Sequence, residues 1–412
     1  MKIKDNIIEI LIITGIILLL SYSYDPVIYS DSSRYMEGSS QDPPLYSTII
    51  MVIRLISGSM NFVVVLQTIF IGCSIIYFTK TVATHFNLNV IIKIFISLLL
   101  FLPILEFYNK VLTESFAYAF SLFFVSFAFK LIFNFNIRNL IFTTFFVVLL
   151  LLTRNQFIIL YPVILLLYLG ILILHNSKKI FTVLIISFLS IFLIHNSLII
   201  FNTQAKQNNF KTESLSYVSL GPFFHTYFDA IYISGAKDVL LFEDQNLQKT
   251  LNIIFEEMDN QKALLKYYNG RGHFGISLSK IKNYSKPLLK NLADQNDISV
   301  INLKKEISIK LIKANFRKYT KHIFKKSYDS SWLFIFLPFL IMLAGLTNFL
   351  KYKSHLSLLI TFISTFSLAN HSIIYLFGRV QPRYFIYTDF VLLIFIFILF
   401  NFFLKKKKGN EI

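Results

Sequence analysis

The chain has 412 residues, of which 55% are hydrophobic and only 15% are charged, and phenylalanine alone accounts for 46. A soluble protein carries roughly a quarter charged residues, and here the apolar residues fall in long blocks, which excludes a soluble enzyme, a disordered chain and a fibrous protein. The formal net charge of +18 does not indicate nucleic-acid binding, because Lys and Arg mostly flank the apolar blocks. We therefore expect an all-α, polytopic integral membrane protein.

A helix needs about 20 mostly apolar residues to cross the hydrocarbon layer. Ten segments fit, although the fifth is short: 7–22, 60–79, 90–107, 112–133, 139–152, 155–174, 180–200, 332–350, 355–376 and 384–404. The first block also fits a signal peptide, but no small-x-small cleavage site follows it, which favours an uncleaved span with a cytoplasmic N-terminus. The stretch 46–58 is too short to cross and carries Arg54, so a helix lying in the membrane interface is predicted within the first outer loop, 23–58.

The distribution of positive charge places both termini in the cytoplasm. On a ten-span topology the short cytoplasmic segments hold most of the basic residues: Lys2, Lys4, Lys80, Lys130, Arg138, Lys178, Lys179, Lys351, Lys353 and Lys405 to Lys408. The short outer segments hold fewer: Arg34, Arg54, Lys110, Arg154, Arg379 and Arg383. This bias is the one that orients membrane proteins. The single cysteine, Cys73, excludes a disulfide framework.

Three parts follow from this topology: an N-terminal transmembrane module (1–201), an extracytoplasmic loop domain (202–331) and a C-terminal transmembrane module with a basic cytoplasmic tail (332–412). Within the loop domain, residues 251–268 and 300–326 are predicted to be helical. The second of these helices is basic and amphipathic. It suits anionic lipid headgroups, and it equally suits an ordinary packed helix with a solvated basic face.

Acidic candidates for chemistry fall on the outer face. Asp31 lies among hydroxyl residues about eight positions past the first span, where it could act as a general base or help to hold a divalent metal through oxygen ligands. A solvated loop Asp that caps a turn is the simpler explanation. Glu114 opens the fourth span and Glu106 closes the third. The helix dipole accounts for a Glu in a first turn, whereas ionisable residues at this depth also mark functional sites.

Arginine candidates lie on the same face. Arg154 stands between two apolar runs, as either a phosphate ligand or a side chain that extends to the outer headgroups. Arg379 and Arg383 flank Pro382 just before the last span, and either a lipid phosphate or outer-leaflet headgroups would suit them. The histidines His225, His273, His322 and His371 lack ligand spacing and are predicted to be structural.

The order of these features resembles the GT-C superfamily of membrane glycosyltransferases, which includes the protein O-mannosyltransferases and the aminoarabinose and rhizobial lipopolysaccharide sugar transferases. Asp31-Ser32-Ser33-Arg34-Tyr35 and then Pro43-Pro44-Leu45-Tyr46-Ser47 are similar to that family's acidic first loop and its Pro-Leu-Tyr-Pro run. Thr113-Glu114, Thr153-Arg154 with Pro162, and Arg383-Tyr384 resemble its later motifs, although Asn155 replaces a Pro. The resemblance covers residues 1–200 and 330–404.

This resemblance implies an inverting sugar transfer from a polyprenyl-phosphate donor to a glycan, lipid or protein acceptor on the outer face. Asp31 would be the catalytic base or a carboxylate ligand of Mg or Mn, and Glu114 a second acidic member. Arg154, Arg379 and Arg383 would neutralise the phosphate leaving group. Further substrate contacts are predicted for three neighbouring side chains and for the acidic residue that ends the third span: Arg34, Tyr35, Tyr384 and Glu106.

Three other functions fit a many-spanning chain. An O-antigen polymerase or ligase would use a lipid-diphosphate glycan and depend on Arg and His. A transporter or flippase would place charged or Gly/Pro-broken positions at mid-membrane, and the predicted spans show few. An inactive assembly partner is the third. The richness in Lys, Ile, Asn and Phe suggests an AT-biased coding sequence, which favours a bacterial inner membrane.

Overall fold

The computed structural model describes residues 25–36, 43–210, 223–267, 273–296, 300–331, 333–377 and 384–409, together with Gly15 and Ile298. The predicted first span, 7–22, lies outside these residues except for Gly15. Two compact units divide the chain: residues 1–209, 336–371 and 381–412 form the first, and residues 210–335 and 372–380 form the second. We call them the membrane unit and the loop unit.

Helices make up nearly all of the described structure. Up to residue 210 they are α1 (Ser30–Met36), α2 (Pro44–Ser57), α3 (Met60–Phe86), α4 (Val90–Phe101), α5 (Glu114–Phe133), α6 (Ile137–Leu151), α7 (Leu160–His175) and α8 (Lys178–Phe210). Then follow α9 (Phe223–Ile233), α10 (Gln245–Asn260), α11 (His273–Gln295), α12 (Val300–Ala314) and α13 (Phe316–Ser331). The last three are α14 (Leu333–Tyr352), α15 (His355–Phe377) and α16 (Ile386–Gly409). The described residues hold no β-sheet, only an isolated bridge between Val27 and Lys110.

The prediction of an all-α membrane protein is confirmed at this coarse level. Six helical segments among the described residues are long and apolar enough to cross a membrane: Met60–Phe86, Glu114–Phe133, Asn155–His175, Lys178–Asn202, Ile335–Tyr352 and His355–Leu376. Four shorter apolar helical segments also occur: Pro44–Ser57, Val90–Ile104, Ile137–Leu151 and Ile386–Leu399. The third predicted span, 90–107, ends early because a 3-10 turn at Leu102–Ile104, which contains Pro103, terminates the helix.

Local sequence signals set the ends of the membrane-unit helices. Gly58 ends α2 with a φ of 64°, and Asn87 and Asn176 end α3 and α7 in the left-handed region, with φ of 48° and 44°. This conformation suits Gly and Asn better than other residues. Asn89 and Asn136 cap α4 and α6 by accepting backbone N–H bonds through their side chains. The connections are therefore short, and neighbouring helices stay close.

The core of the membrane unit surrounds α5, the most buried of the six long segments. Phe123 stacks on Phe146 and Phe127 on Phe142, with ring centroids 4.8 and 4.7 Å apart, which joins α5 to α6. Phe124 meets Phe366 of α15 edge-on at 5.5 Å. Such ring pairs contribute about 0.5–1.5 kcal/mol each beyond the area they bury. The central position of α5 matters because its first residue is Glu114.

The loop unit has its own apolar core, formed mainly by α9 to α13. The helix predicted at 300–326 is broken into α12 and α13 at Asn315, and the helix α11 was not predicted. Asp229 of α9 lies fully buried in this unit, where His322 is 2.9 Å away and Lys326 3.3 Å away, both on α13. Lys326 also donates to the carbonyl of Tyr375, and Tyr319 to that of Leu376. These donors satisfy carbonyls at the C-terminal end of α15, which the helix itself cannot pair.

Candidate functional site

The stretch after the predicted first span is attached by backbone hydrogen bonds to two connections of the membrane unit. Val27 donates to the carbonyl of Asn109 at 2.9 Å and accepts from Val111 at 3.1 Å. At the start of α2, Leu45 donates to the carbonyl of Leu152 at 3.0 Å. The segment that follows the predicted first span is thus fixed beside the residues that precede Glu114 and Arg154.

Tyr46 of α2 lies at the centre of this contact and is fully buried. Its hydroxyl donates to Gln67 Oε1 at 2.7 Å, while Gln67 Nε2 donates to the carbonyls of Tyr108 and Lys110. The ring of Tyr35 meets it edge-on at 5.1 Å. Burial, and then the neighbouring Glu114 carboxylate, raise the pKa of Tyr46 well above its usual value. Tyr46 therefore stays a neutral hydrogen-bond donor beside the acidic residue.

Glu114 and Arg154 form an ion pair at the N-terminal end of α5. Arg154 Nη1 is 2.9 Å from Glu114 Oε1, and their side chains are only 14% and 2% exposed. The same Nη1 donates to Thr113 Oγ1 at 3.1 Å, and this hydroxyl is 3.4 Å from Glu114 Oε2. A buried ion pair is tolerated only with good geometry and further hydrogen bonds, and Thr113 supplies one of them. The helix dipole also favours the carboxylate at this first turn.

Two tyrosines from the far end of the chain complete the surroundings of Arg154. Tyr387, in the first turn of α16, accepts a hydrogen bond of 2.9 Å from Arg154 Nη1. The guanidinium carbon also lies 4.8 Å from the ring centre of Tyr384 and 5.7 Å from that of Tyr387. Aromatic faces attract the guanidinium by cation–π interaction. A guanidinium has five N–H donors on three nitrogens, and the hydrogen bonds and ion pair described for Arg154 use only one of these nitrogens.

A polar network continues from Arg154 into α15 and α16. Gln156 donates to Asn370 Oδ1 at 3.0 Å, and Asn370 donates to the carbonyl of Tyr384 and to Thr388 Oγ1. One residue further along, Asp389 is 2.8 Å from His371 Nε2, and both side chains are nearly buried. Sequence reasoning missed this pair and took His371 for structural. The signal that could have found it was Asp389, an ionisable residue inside a predicted span.

The other predicted site residues fall into three groups. Tyr35 and Tyr384 lie with Glu114 and Arg154 in the cluster just described. Glu106 does not join them through any described contact: it pairs with Lys110 at 3.6 Å, and its side chain is 72% exposed. Asp31 and Arg34 lie on α1, but their side chains, together with the whole of Arg379 and Arg383, are outside the described structure.

Among the described residues, no group of three or more His, Cys, Asp or Glu side chains could hold a metal ion. The side chain of Asp31, the predicted metal carboxylate, lies outside the described structure. What the cluster offers is a nearly buried arginine, held by one carboxylate and covered by two tyrosines, at the ends of several helices. Comparison with protein-family models, with curated proteins and with solved structures found no match to the chain.

Proposed function

We propose that this protein is a membrane glycosyltransferase that moves a sugar from a polyprenyl-phosphate donor to an acceptor at the outer face. One observation carries the proposal: four segments distant in sequence converge on Arg154. These are the first outer segment, the start of α5, the connection after α6 and the first turn of α16. They are the segments in which the resemblance places the motifs of a lipid-phosphate sugar transferase.

The proposed chemistry divides the roles between two sides of the donor sugar. An acceptor hydroxyl attacks the anomeric carbon while Asp31 takes its proton. The bond from that carbon to the phosphate oxygen breaks, and the lipid phosphate leaves with the bonding electrons. Arg154 donates hydrogen bonds to the increasingly negative phosphate from the N–H groups of its other two nitrogens. Arg379 and Arg383 help to neutralise the same charge. Donors held in place before the reaction stabilise such charge most effectively.

In this proposal Glu114 positions Arg154 and does not act as a base, because its carboxylate is already paired with the guanidinium. Tyr384 and Tyr387 hold the guanidinium plane, and Tyr35 lines the acceptor side. Ten spans, cytoplasmic termini and a bacterial inner membrane belong to the same proposal. A glycan, lipid or protein is the acceptor, and Asp31 is a candidate ligand of Mg or Mn.

A matched set of variants tests the transferase. Full-length protein in lipid nanodiscs is supplied with polyprenyl-phosphate sugars, and release of polyprenyl phosphate is measured. We expect Asp31→Asn and Arg154→Lys to slow release by about 100-fold or more, the usual effect of losing one charge-stabilising donor. Arg54→Lys, at an exposed position on α2, serves as the control and should keep the wild-type rate. If both site variants fold, insert normally and retain full turnover, the proposal fails.

The His371–Asp389 pair supports a second candidate, a proton-coupled transporter or flippase. Buried ionisable pairs among membrane helices often belong to proton relays, and this one lies between α15 and α16. Asp389→Asn would then abolish substrate movement into proteoliposomes, with no polyprenyl phosphate released by the wild type. Under the transferase proposal, the same wild-type preparation releases polyprenyl phosphate without a proton gradient.

A further inference from the structure

A buried lysine of the loop unit lies against two aromatic rings. Lys304 of α12 is only 4% exposed. Its ammonium nitrogen lies 5.6 and 5.5 Å from the ring centres of Tyr227 and Phe228 on α9. The two rings attract the ammonium group by cation–π interaction.

Two more lysines lie near Lys304 on the facing helix. Lys282 and Lys286 of α11 are exposed and stand one turn apart. Burial, and then the charges of Lys286 and Lys282, lower the pKa of Lys304 to about 8. All three ammonium groups therefore contribute positive potential to the same small region between α9, α11 and α12.

Hydroxyl groups at the same place have hydrogen-bonding capacity to spare. Tyr227 Oη and Ser285 Oγ are both fully buried, and neither has a partner beyond the other hydroxyl. They are neighbours, since the Ser285 hydroxyl partly offsets the rise that burial causes in the pKa of Tyr227. Even if one hydroxyl donated to the other after a small shift, a second O–H would remain. Buried polar groups without partners are rare in folded proteins and call for an explanation.

We infer that Lys304, Lys282, Lys286, Tyr227 and Ser285 form a binding site for a phosphate group. Three ammonium groups and two hydroxyls match an anion that carries a charge of about −1.5 to −2 and several acceptor oxygens. Lysine serves as a point charge for phosphate in many proteins. The phosphate belongs either to a small soluble molecule or to a lipid headgroup, and the site does not depend on the proposed transferase activity.

Phosphate binding is tested on the full-length protein in phosphatidylcholine nanodiscs, with inorganic phosphate as the probe. We expect phosphate to raise the unfolding temperature of the wild type and of Lys290→Gln, an exposed lysine on the same helix. The double variant Lys282→Gln/Lys286→Gln should bind phosphate about 100-fold more weakly, as expected for the loss of two charge-assisted hydrogen bonds of about tenfold each. Its substitutions are at the surface and should leave the fold intact.

The hydroxyl variants separate a binding role from a packing role. Tyr227→Phe and Ser285→Ala each remove a hydroxyl whose hydrogen-bonding capacity is only partly used, so the unliganded protein should lose little stability. Phosphate affinity should nevertheless fall. Equal phosphate affinity in the wild type, both hydroxyl variants and Lys304→Met would overturn the inference, as would no response to phosphate. Loss of the phosphate effect in discs that contain phosphatidic acid would identify a headgroup as the ligand, and its persistence a soluble phosphate.

Discussion

At the scale of single residues, the membrane unit contains a pair of opposite charges, Glu114 and Arg154, that are almost fully buried. Glu114 is 2% exposed and Arg154 14%, so each compensates for the burial of the other. Removing one partner of such a pair leaves an uncompensated charge, which is far more costly than never having had the pair. The two glutamates predicted for the site should therefore differ sharply on substitution.

Glu114→Gln is expected to destabilise the protein by about 3 kcal/mol, because Arg154 would remain buried without its carboxylate. Glu106→Gln is the matched control: its side chain is 72% exposed, and loss of a surface pair typically costs less than about 1 kcal/mol. The stability of both variants is measured as the midpoint temperature at which half of the protein in detergent is no longer monodisperse after heating. Similar midpoints for the two variants would show that the ion pair does not stabilise the fold.

The pH dependence of the loop unit should carry a signature of Lys304. Its pKa is about 8 in the folded chain and roughly 10.4 when unfolded. Between these values the unfolded state binds more protons than the folded state, so stability should rise with pH from about 8 to about 10. Lys304→Met should remove that rise in unfolding temperature. Lys282, Lys286 and Tyr227 face the same point, and variants at the two exposed lysines should raise the pKa of Lys304.

The anion site predicts the opposite trend for binding. Sulfate is a suitable probe because its charge does not change over this range. Its affinity should fall as pH rises through about 8, since Lys304 loses its proton and the site loses one positive charge. A sulfate affinity that stays constant from pH 7 to 10 would show that Lys304 does not contact the anion.

At the scale of helices, the loop unit depends on one buried carboxylate that connects three elements. Asp229 of α9 meets His322 and Lys326 of α13, and Lys326 and Tyr319 bond the last carbonyls of α15. Basic side chains at a helix C-terminus also interact favourably with its dipole. This arrangement fixes the end of α15 directly before the segment that carries Arg379 and Arg383.

Asp229→Asn should therefore destabilise α13 and the end of α15 as well as its own helix, α9. We expect a loss of about 3 kcal/mol, because Lys326 would keep a buried charge without a carboxylate. Hydrogen exchange should become faster in the last turn of α15 as well as in α13. Asp294→Asn, at an exposed position on α11, provides the comparison and should change neither region. Faster exchange confined to α9 would contradict the proposed connection.

At the scale of the whole molecule, the predicted topology can be mapped with single cysteines. Once the only cysteine, Cys73, is replaced by Ser, Ser57→Cys reports on the end of α2 and Ser177→Cys on the turn between α7 and α8. We expect a membrane-impermeant maleimide to label Ser57→Cys in intact cells but Ser177→Cys only after permeabilisation. The reverse pattern would place Arg154 on the cytoplasmic side and exclude an outer-face site.

The sequence identified charged residues that are unusual beside apolar segments. It did not identify polar residues whose role depends on a contact with a residue distant in the chain. Glu114 and Arg154 stood out as charges beside apolar runs, so both were predictable as candidates, and the structure pairs them. Tyr46, Gln67 and Tyr387 did not, because a Tyr or Gln in an apolar segment is ordinary until its neighbour is known. Composition and block length were enough to predict the helical class. Helix boundaries such as Phe101 and Asn315 were not predictable, because they depend on local turns.

Convergence on Arg154 also has a consequence for biosynthesis. Thr113 and Tyr387 bond the same nitrogen, yet they are separated from Arg154 by 41 and 233 positions of the chain. At 5–20 residues per second, Arg154 and Glu114 meet within seconds of synthesis, while Tyr387 follows roughly 10 to 50 seconds later. The charges are thus neutralised by each other early, during insertion. Tyr384 and Tyr387 can pack on Arg154 only after the final helix has been made. A chain that terminates before residue 384 would therefore form the Glu114–Arg154 pair but lack the two tyrosines that shield it.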